Sequence, residues 1–347
     1  MHLKTNWITI FVLLAVPAIV LFAQTVADDS VIKDLQQQKA QVLEKMKAIP
    51  QEGATQEDVD RYNELKAQYD QLDAQIDARL QELDAEAAKR RGAANNYNQG
   101  NDYYKDGKYG EAIESYKKAI EFDNTDYRFF KNLGQAYYRN KQYDQAVDAM
   151  RDGLRLNSEE ASMYLVMGQS QAKMKKYDDA IFSYDQAIKI DQTYASAWLG
   201  KGNAYMAQKN YSQAEAALQE ATKYDTQSSS AFYNLGVAQS EQGKITAALD
   251  AFKSATDITK NYYKGYYQQA VMLNKLGRSQ EAKSAAEKCL TYKKNYAGAF
   301  FEIGTAYKKM GNKVKAEEYF RKCLNDRAWQ SAAQWELDHG LKEAFQE

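Results

Sequence analysis

Few residues of this 347-residue sequence have the chemistry needed for acid–base catalysis or metal binding. Its two histidines, His2 and His339, stand at opposite ends of the chain, so neither a Ser-His-Asp triad nor a histidine metal site can be assembled. No glycine-rich phosphate-binding loop occurs. The sequence therefore predicts no catalytic centre, no metal and no cofactor, and no residues are left over for a separate enzyme domain.

The two cysteines, Cys289 and Cys323, are the remaining reactive pair. They lie 34 residues apart, at the same position of two consecutive sequence repeats. Helices that pack side by side have axes about 8–10 Å apart, which exceeds the reach of a disulfide. We therefore expect both cysteines to be reduced and buried as small residues of the core.

Small residues recur every 34 positions between residues 93 and 330. One column holds alanine in every row: Ala112, Ala146, Ala180, Ala214, Ala248, Ala282 and Ala316. A second column lies twelve positions earlier: Gly100, Gly134, Gly168, Gly202, Gly236, Ala270 and Gly304. Helices approach closely where side chains are small, and a fixed period of this length is typical of a solenoid.

Large residues alternate with the small ones at helical spacing, which divides each row into two helices. Row position 4 is aromatic in six rows: Phe130, Tyr164, Trp198, Phe232, Tyr266 and Phe300. Position 24 is mostly large and apolar: Tyr116, Met150, Tyr184, Leu218, Phe252 and Phe320. Each row thus predicts a helix A, a turn and a helix B, with the turn at Gly107, Lys141, Lys175, Lys209, Gly243, Gly277 and Gly311.

This pattern resembles the tetratricopeptide repeat (TPR) family, whose motif is well represented in the second row by Phe130, Leu133, Gly134, Tyr137 and Ala146. The resemblance covers residues 93–330 as seven repeats. It implies an all-α fold, a helix-turn-helix solenoid that winds as a right-handed superhelix.

Two features depart from the TPR motif. The family has proline at position 32, whereas the prolines of this chain, Pro17 and Pro50, lie outside the repeats. Proline there ends helix B, so we expect softer turns between repeats. The sixth row is the least typical, with Ala270 and Ala286 in place of glycine and a large residue.

In TPR proteins helix A lines a concave groove that binds peptides, and the resemblance implies that role for polar and aromatic residues here. The candidates are Asn101, Lys131, Asn132, Asn203, Tyr233, Asn234, Lys264, Tyr267, Gln268 and Phe301. Amides can donate to and accept from a peptide backbone, and aromatic rings supply contact area. Members that clamp a peptide carboxylate have a five-residue pattern, of which Asn203, Asn234 and Lys264 match. The alternative is that these polar residues only keep the groove soluble.

The N-terminal segment, residues 1–27, predicts export. Lys4 precedes an apolar run at residues 8–23, and either Thr25-Val26-Ala27 or the nearby Ala23 is a candidate signal-peptidase site. The alternative is an uncleaved anchor, since residues 7–27 are close to the length of a membrane span. Either way, we expect a protein of the periplasm or cell envelope.

Residues 28–92 predict a coiled-coil helical hairpin, with helices at 29–49 and 55–91 separated by Pro50. Lys39 and Arg79 interrupt the two heptad patterns, and Gly92 is predicted as the hinge to the repeats. Either the hairpin closes within one chain or residues 29–91 form a homo-oligomer.

The C-terminal segment, residues 331–347, predicts an amphipathic capping helix over the last repeat, whose apolar face is formed with Trp329, Ala332, Ala333, Trp335, Leu337 and Leu341. The chain has 47 acidic and 46 basic residues, a net charge of −1. Such a balance does not favour binding to nucleic acid or coating of a membrane.

The sequence therefore predicts an exported, non-catalytic scaffold that binds a protein or peptide partner. The order of export signal, coiled coil and repeats resembles periplasmic cell-division coordinators. The alternative is a membrane-anchored accessory subunit of a secretion or pilus assembly machine.

Overall fold

The computed structural model describes residues 25–50 and 54–345. Those residues form helices and turns without any β-strand, which confirms the all-α fold. Among the helices that are described, none combines the length and the apolar character needed to cross a membrane. The apolar run at residues 8–23 lies outside the described part of the chain.

Two helices, α1 (Ser30–Lys47) and α2 (Gln56–Lys105), pack against each other near the N-terminus. Asp29 caps α1, because its Oδ1 accepts from the backbone N–H of Ile32 at 2.9 Å. Thr55 and Asp58 form a reciprocal capping box at the start of α2. These capping residues fix where each helix begins.

The basic residues that interrupt the heptad patterns make cross-helix ion pairs. Lys39 pairs with Asp73, and Arg79 donates to Asp29 at 3.0 Å. The ammonium of Lys39 also lies 4.5 Å from the ring centre of Tyr69. Since the partner's number falls as the number along α1 rises, the two helices are antiparallel.

The predicted hinge at Gly92 is wrong, because α2 passes through it without a break. One glycine inside a helix costs only about 1 kcal/mol relative to alanine, and no proline follows it. The ring of Phe122 packs 2.8 Å from the point where a Cβ of Gly92 would lie. Helix A of the first repeat is therefore the last part of α2.

The helices that follow form the remaining A and B pairs. They are α3 (Tyr109–Phe122), α4 (Tyr127–Arg139), α5 (Tyr143–Leu156), α6 (Ala161–Lys173), α7 (Tyr177–Ile190), α8 (Ala195–Ala207), α9 (Tyr211–Tyr224), α10 (Ser229–Glu241), α11 (Ile245–Ile258), α12 (Tyr263–Lys275), α13 (Ser279–Tyr292), α14 (Ala297–Lys309) and α15 (Lys313–Arg321). The chain divides into two compact units, one ending at Phe129 and the other beginning at Phe130. The second unit contains repeats 2 to 7.

Each glycine of the second small column faces the large position-24 residue of its own helix B. A Cβ at Gly202 would lie 2.6 Å from Leu218, and one at Gly236 would lie 2.7 Å from Phe252. The alanines of the first column are all fully buried. The sixth repeat differs, because Ala270 stands in place of the glycine and Ala286 in place of the large residue. Both alanines are fully buried. A methyl group on helix A is tolerated there because helix B carries no large side chain.

The turns between helices A and B share one backbone conformation. The seven predicted turn residues are the positive-φ residues of the described chain, with φ between 61° and 78°. In the second repeat, the N–H of Lys141 donates to Tyr138 O and that of Gln142 to Tyr137 O, a Schellman motif.

Asx turns replace the missing proline after helix B. Asp123 Oδ1 accepts from the N–H of Thr125 at 2.9 Å, and Asp191 Oδ1 accepts from that of Thr193 at 2.9 Å. Asp225 makes the same bond to Gln227. A side-chain acceptor that bonds to the backbone two residues later ends the helix without proline.

The C-terminal cap consists of α16 (Gln330–Trp335), a π-helical turn (Glu336–Gly340) and α17 (Leu341–Phe345). Ala333 and Leu341 pack on Phe320 of the last repeat. Trp335 is 51% exposed and Ala332 is exposed, so the prediction that both face the repeat is wrong. Trp335 lies two residues after the buried Ala333 in the same α-helix, about 200° around its axis, so the two side chains cannot face the same side.

Candidate functional site

Two of the predicted groove residues bond directly to each other. Asn203 lies on α8 and Asn234 on α10, the A helices of the fourth and fifth repeats. The Nδ2 of Asn234 donates to Oδ1 of Asn203 at 2.7 Å. The bond fixes both side chains and leaves Nδ2 of Asn203 as a donor and Oδ1 of Asn234 as an acceptor.

An open pocket of about 370 Å³ lies next to Asn203, between the A helices of the third and fourth repeats. Its apolar wall is Ala172, Leu199 and Ala204. Its polar lining is Gln169, Lys173, Tyr177, Tyr184, Ser196 and Asn203. The lining has one cation and no carboxylate. Its volume is within the range of small ligand sites.

Gly200 lets Tyr184 of helix B reach this pocket. A Cβ at Gly200 would lie 2.5 Å from Cζ of Tyr184 and 3.0 Å from its hydroxyl oxygen. Tyr184 is only 2% exposed, and burial raises the pKa of its hydroxyl, so that group stays protonated. Within the described residues, no side chain or backbone group hydrogen-bonds to this hydroxyl.

The equivalent tyrosine of the first repeat, Tyr116, has a hydrogen-bond partner for its hydroxyl. The hydroxyl of Tyr116 donates to Oδ1 of Asn101 at 2.8 Å, so that predicted groove residue is used inside its own repeat. In the third repeat the corresponding position is Gln169, which lines the pocket but does not bond to Tyr184.

The aromatic candidates lie against neighbouring rings. Tyr233 is 5.2 Å from Tyr262 and Tyr267 is 5.2 Å from Tyr296, centre to centre. Phe301 is 5.0 Å from Trp329. All three candidates are half-buried, so their first role is to pack successive repeats together. They still expose a rim that a bound chain could contact.

The other candidates are dispersed. Lys264 is exposed, and Gln268 lies close to Tyr233, whose pKa burial raises. Lys131 lies 3.7 Å from Glu160, and Asn132 is half-buried beside it. The structure thus brings together Asn203 with Asn234 and Tyr233 with Gln268.

The sequence reasoning missed Gly200, Tyr184 and Lys173. Gly200 occupies row position 6, where five of the other repeats carry asparagine, glutamine or glutamate and the third carries Val166. The glycine was the available signal, because the absence of a side chain lets the ring of Tyr184 lie against helix A. Tyr184 had been assigned to packing alone.

The cysteines behave as predicted. Cys289 and Cys323 are free and fully buried, and burial raises the pKa of each thiol to about 12. The Sγ of Cys323 donates to Ala297 O at 3.3 Å. In the part of the chain that is described, no group of three acidic, histidine or cysteine side chains could hold a metal ion.

Models of tetratricopeptide repeats match the chain at residues 100–141, 131–197 and 171–239, and then at 229–262, 263–296 and 297–325. The matches cover residues 100–325 without a gap. This protein belongs to the tetratricopeptide repeat family.

Solved structures support the fold. YrrB, titled a TPR protein with an unusual peptide-binding site, is 24% identical, with 54% of this chain and 98% of that chain covered and a TM-score of 0.50. The C-terminal part of a TPR protein from Cytophaga hutchinsonii is 21% identical, covers 69% and 98%, and has a TM-score of 0.57. Pseudomonas aeruginosa pilF is 20% identical, covers 62% and 98%, and has a TM-score of 0.52. A search of curated proteins found no match.

Proposed function

We propose that this protein is a non-catalytic scaffold that binds a peptide segment of a partner protein on the A helices of repeats 3 to 7. The observation that carries the proposal is the Asn203–Asn234 pair beside an open, polar pocket. A fixed amide donor and a fixed amide acceptor complement the two hydrogen-bonding groups of an extended backbone. The rims of Tyr233, Tyr267 and Phe301 add apolar contact area.

The partner is a protein of the bacterial cell envelope in this proposal. Support comes from Lys4, the apolar run at residues 8–23 and the possible cleavage site that follows it. N-terminal sequencing of the protein purified from its own cells tests the location. A mature chain that begins near Asp28 and is recovered outside the cytoplasm agrees with it. A full-length chain in the cytoplasmic fraction contradicts it.

The second candidate is a membrane-anchored accessory subunit of a secretion or pilus assembly machine. It is favoured by residues 7–27, whose length is close to that of a membrane span. The likeness to pilF is one of fold alone and does not favour it further. Recovery of an uncleaved chain with the membranes, released only by detergent, distinguishes this candidate from the first.

The binding surface is tested with a partner captured by crosslinking in the native envelope. A peptide from the crosslinked segment is titrated against wild type, the double variant Asn203→Ala/Asn234→Ala and the control Lys253→Ala, which alters an exposed helix B residue. Loss of an amide that pairs with bound backbone costs about 1–3 kcal/mol. Equal affinity of both variants would show that the partner binds elsewhere.

A further inference from the structure

The pocket beside Asn203 has a composition that selects one kind of side chain. Its lining offers several hydrogen-bond donors: the ammonium of Lys173, the hydroxyls of Tyr177, Tyr184 and Ser196, the amide of Gln169 and the free Nδ2 of Asn203. Lys173 is exposed and has no ion-pair partner among the described residues. Several donors and no carboxylate favour an anion and exclude a lysine or arginine side chain.

The depth of the pocket gives the length of that side chain. Lys173 and Asn203 stand at its mouth on helices A, whereas Tyr184 belongs to helix B and is 2% exposed. A group that reaches Tyr184 must pass between the A helices, beside Ala172 and Leu199. Methylene groups suit that apolar wall. A single cation is too little charge for a phosphate dianion.

We propose that this pocket binds the carboxylate of a glutamate side chain carried by the peptide in the groove. The proposal rests on the peptide-binding function above. Tyr184 donates to one carboxylate oxygen at the base of the pocket, and Asn203 donates to the other. Lys173 supplies the opposite charge at the rim. Gly200 is required because any larger residue would close the passage to Tyr184.

This assignment accounts for a tyrosine hydroxyl that has no partner among the described residues. The ring of Tyr184 fills the space next to Gly168, as the position-24 residue does in the other repeats that carry this glycine, but only in the first repeat does a tyrosine hydroxyl at this position donate to an asparagine, Asn101. Only in the third repeat does the described structure combine a position-24 tyrosine hydroxyl with a glycine at position 6 of the following repeat. A ligand carboxylate satisfies the buried donor that the protein leaves open.

The test uses phage-displayed random 12-residue peptides selected on the full-length protein. Peptides that bind are synthesised with a fluorophore, and each glutamate is replaced by glutamine or aspartate. Dissociation constants are measured by fluorescence anisotropy for wild type and for Tyr184→Phe/Lys173→Gln. The matched control is Tyr164→Phe/Lys189→Gln, which makes the same changes outside the pocket. Thermal melts confirm that both variants are folded.

We expect one glutamate of each peptide to be required for binding. Its replacement by glutamine should weaken binding to wild type and to the control variant about tenfold or more. In the pocket variant the same replacement should change affinity less than about threefold, and aspartate should be too short to restore binding. Peptides that bind in the groove without a glutamate preference would overturn the pocket assignment and leave the proposed function standing. So would a preference unchanged in the pocket variant, or one that C-terminal amidation abolishes. Failure to select any peptide would overturn both proposals.

Discussion

The side chains of Asn274 and Glu302 form a buried polar contact between the sixth and seventh repeats. The Nδ2 of Asn274 donates to Oε2 of Glu302 at 2.8 Å and to its backbone carbonyl at 2.9 Å. Both residues are more than nine-tenths buried. Oδ1 of Asn274 has no partner within the described structure. The carboxyl group of Glu302 is therefore buried next to an acceptor, Oδ1 of Asn274, that receives no hydrogen bond.

Glu302→Gln should stabilise the protein at neutral pH. Burial is the largest influence on the carboxyl and raises its pKa above the ordinary 4.5, although Asn274 and Lys309 oppose the shift. The protonated form is therefore favoured in the folded state. Its contribution to the free energy of unfolding is present below pH 4.5 and is lost as the pH rises through the raised pKa. Glutamine stays neutral, and its amide can donate to the free Oδ1 of Asn274.

Thermal melts of both proteins between pH 4 and pH 8 should diverge as the pH rises, with the variant more stable. Glu281→Gln is the control, for which the stability difference from wild type should depend on pH in the opposite direction. Arg278 donates to Glu281 and lowers the pKa of that carboxyl, so the advantage of wild-type Glu281 should shrink as the pH falls. Parallel melting curves for wild type and Glu302→Gln across the range would contradict the buried-acid interpretation.

The effect of Gly202→Ala should change sign with the residue at position 218. In wild type, the new methyl group would lie 2.6 Å from Leu218, and such overpacking costs about 1–3 kcal/mol. In a Leu218→Ala background the clash is gone, and alanine should stabilise the helix by about 1 kcal/mol relative to glycine. The double variant then reproduces the Ala270–Ala286 arrangement of the sixth repeat. Urea unfolding of the four proteins measures the coupling, and additive free energies would refute the size complementarity.

The strict 34-residue period explains why so much of this fold could be predicted from the sequence. It identified the buried alanines, the turn residues and the two cysteines, since each repeat packs only against its neighbours. The continuous helix through Gly92 could not be predicted from the period, because one glycine neither requires nor prevents a helix. The repeat period does not extend to the C-terminal cap, where the buried Ala333 and the exposed Trp335 lie on opposite sides of one α-helix.

For the candidate site, the sequence predicted which helix faces form the surface but not the contacts between its side chains. The period placed Asn203 and Asn234 on helices A, but their mutual hydrogen bond and the unpartnered hydroxyl of Tyr184 depend on side-chain positions across repeats. The aromatic residues were expected to be contact groups, and the structure uses them first in packing. The position of a residue within the repeat predicts which face of a helix it occupies. Whether its side chain is free to bind a ligand depends on the neighbouring side chains.

Lys175→Gly should stabilise the third repeat. Lys175 adopts φ 61°, a left-handed conformation that costs a non-glycine residue about 1–2 kcal/mol. Part of that gain is offset by the greater freedom of glycine in the unfolded chain, so we expect an increase of about 0.5–1 kcal/mol. Gly243→Lys makes the reverse change at the equivalent turn, where nothing lies within 4 Å of a new Cβ. Urea unfolding should move in opposite directions, and a common direction would contradict the backbone argument.

Neither cysteine should react while the protein is folded. Burial raises both thiol pKa values to about 12, so the thiolate fraction at pH 8 is very small, and both sulfur atoms are shielded from solvent. Iodoacetamide followed by intact-mass measurement should add no label to the native protein and two labels in denaturant. Rapid labelling of the native protein would show that the packing of repeats 6 and 7 opens. A Cys289–Cys323 disulfide would contradict the distance expected between neighbouring helices.

The hairpin of α1 and α2 should close within a single chain rather than join two chains. Its ion pairs, Lys39 with Asp73 and Asp29 with Arg79, connect the two helices of one molecule. The short connection between Lys47 and Gln56 also keeps the entropic cost of closing the loop small. Light scattering at micromolar concentration should give the mass of one chain. Deletion of residues 29–91 should lower that mass only by the deleted residues. A wild-type dimer that becomes a monomer on deletion would instead make this segment the site of self-association.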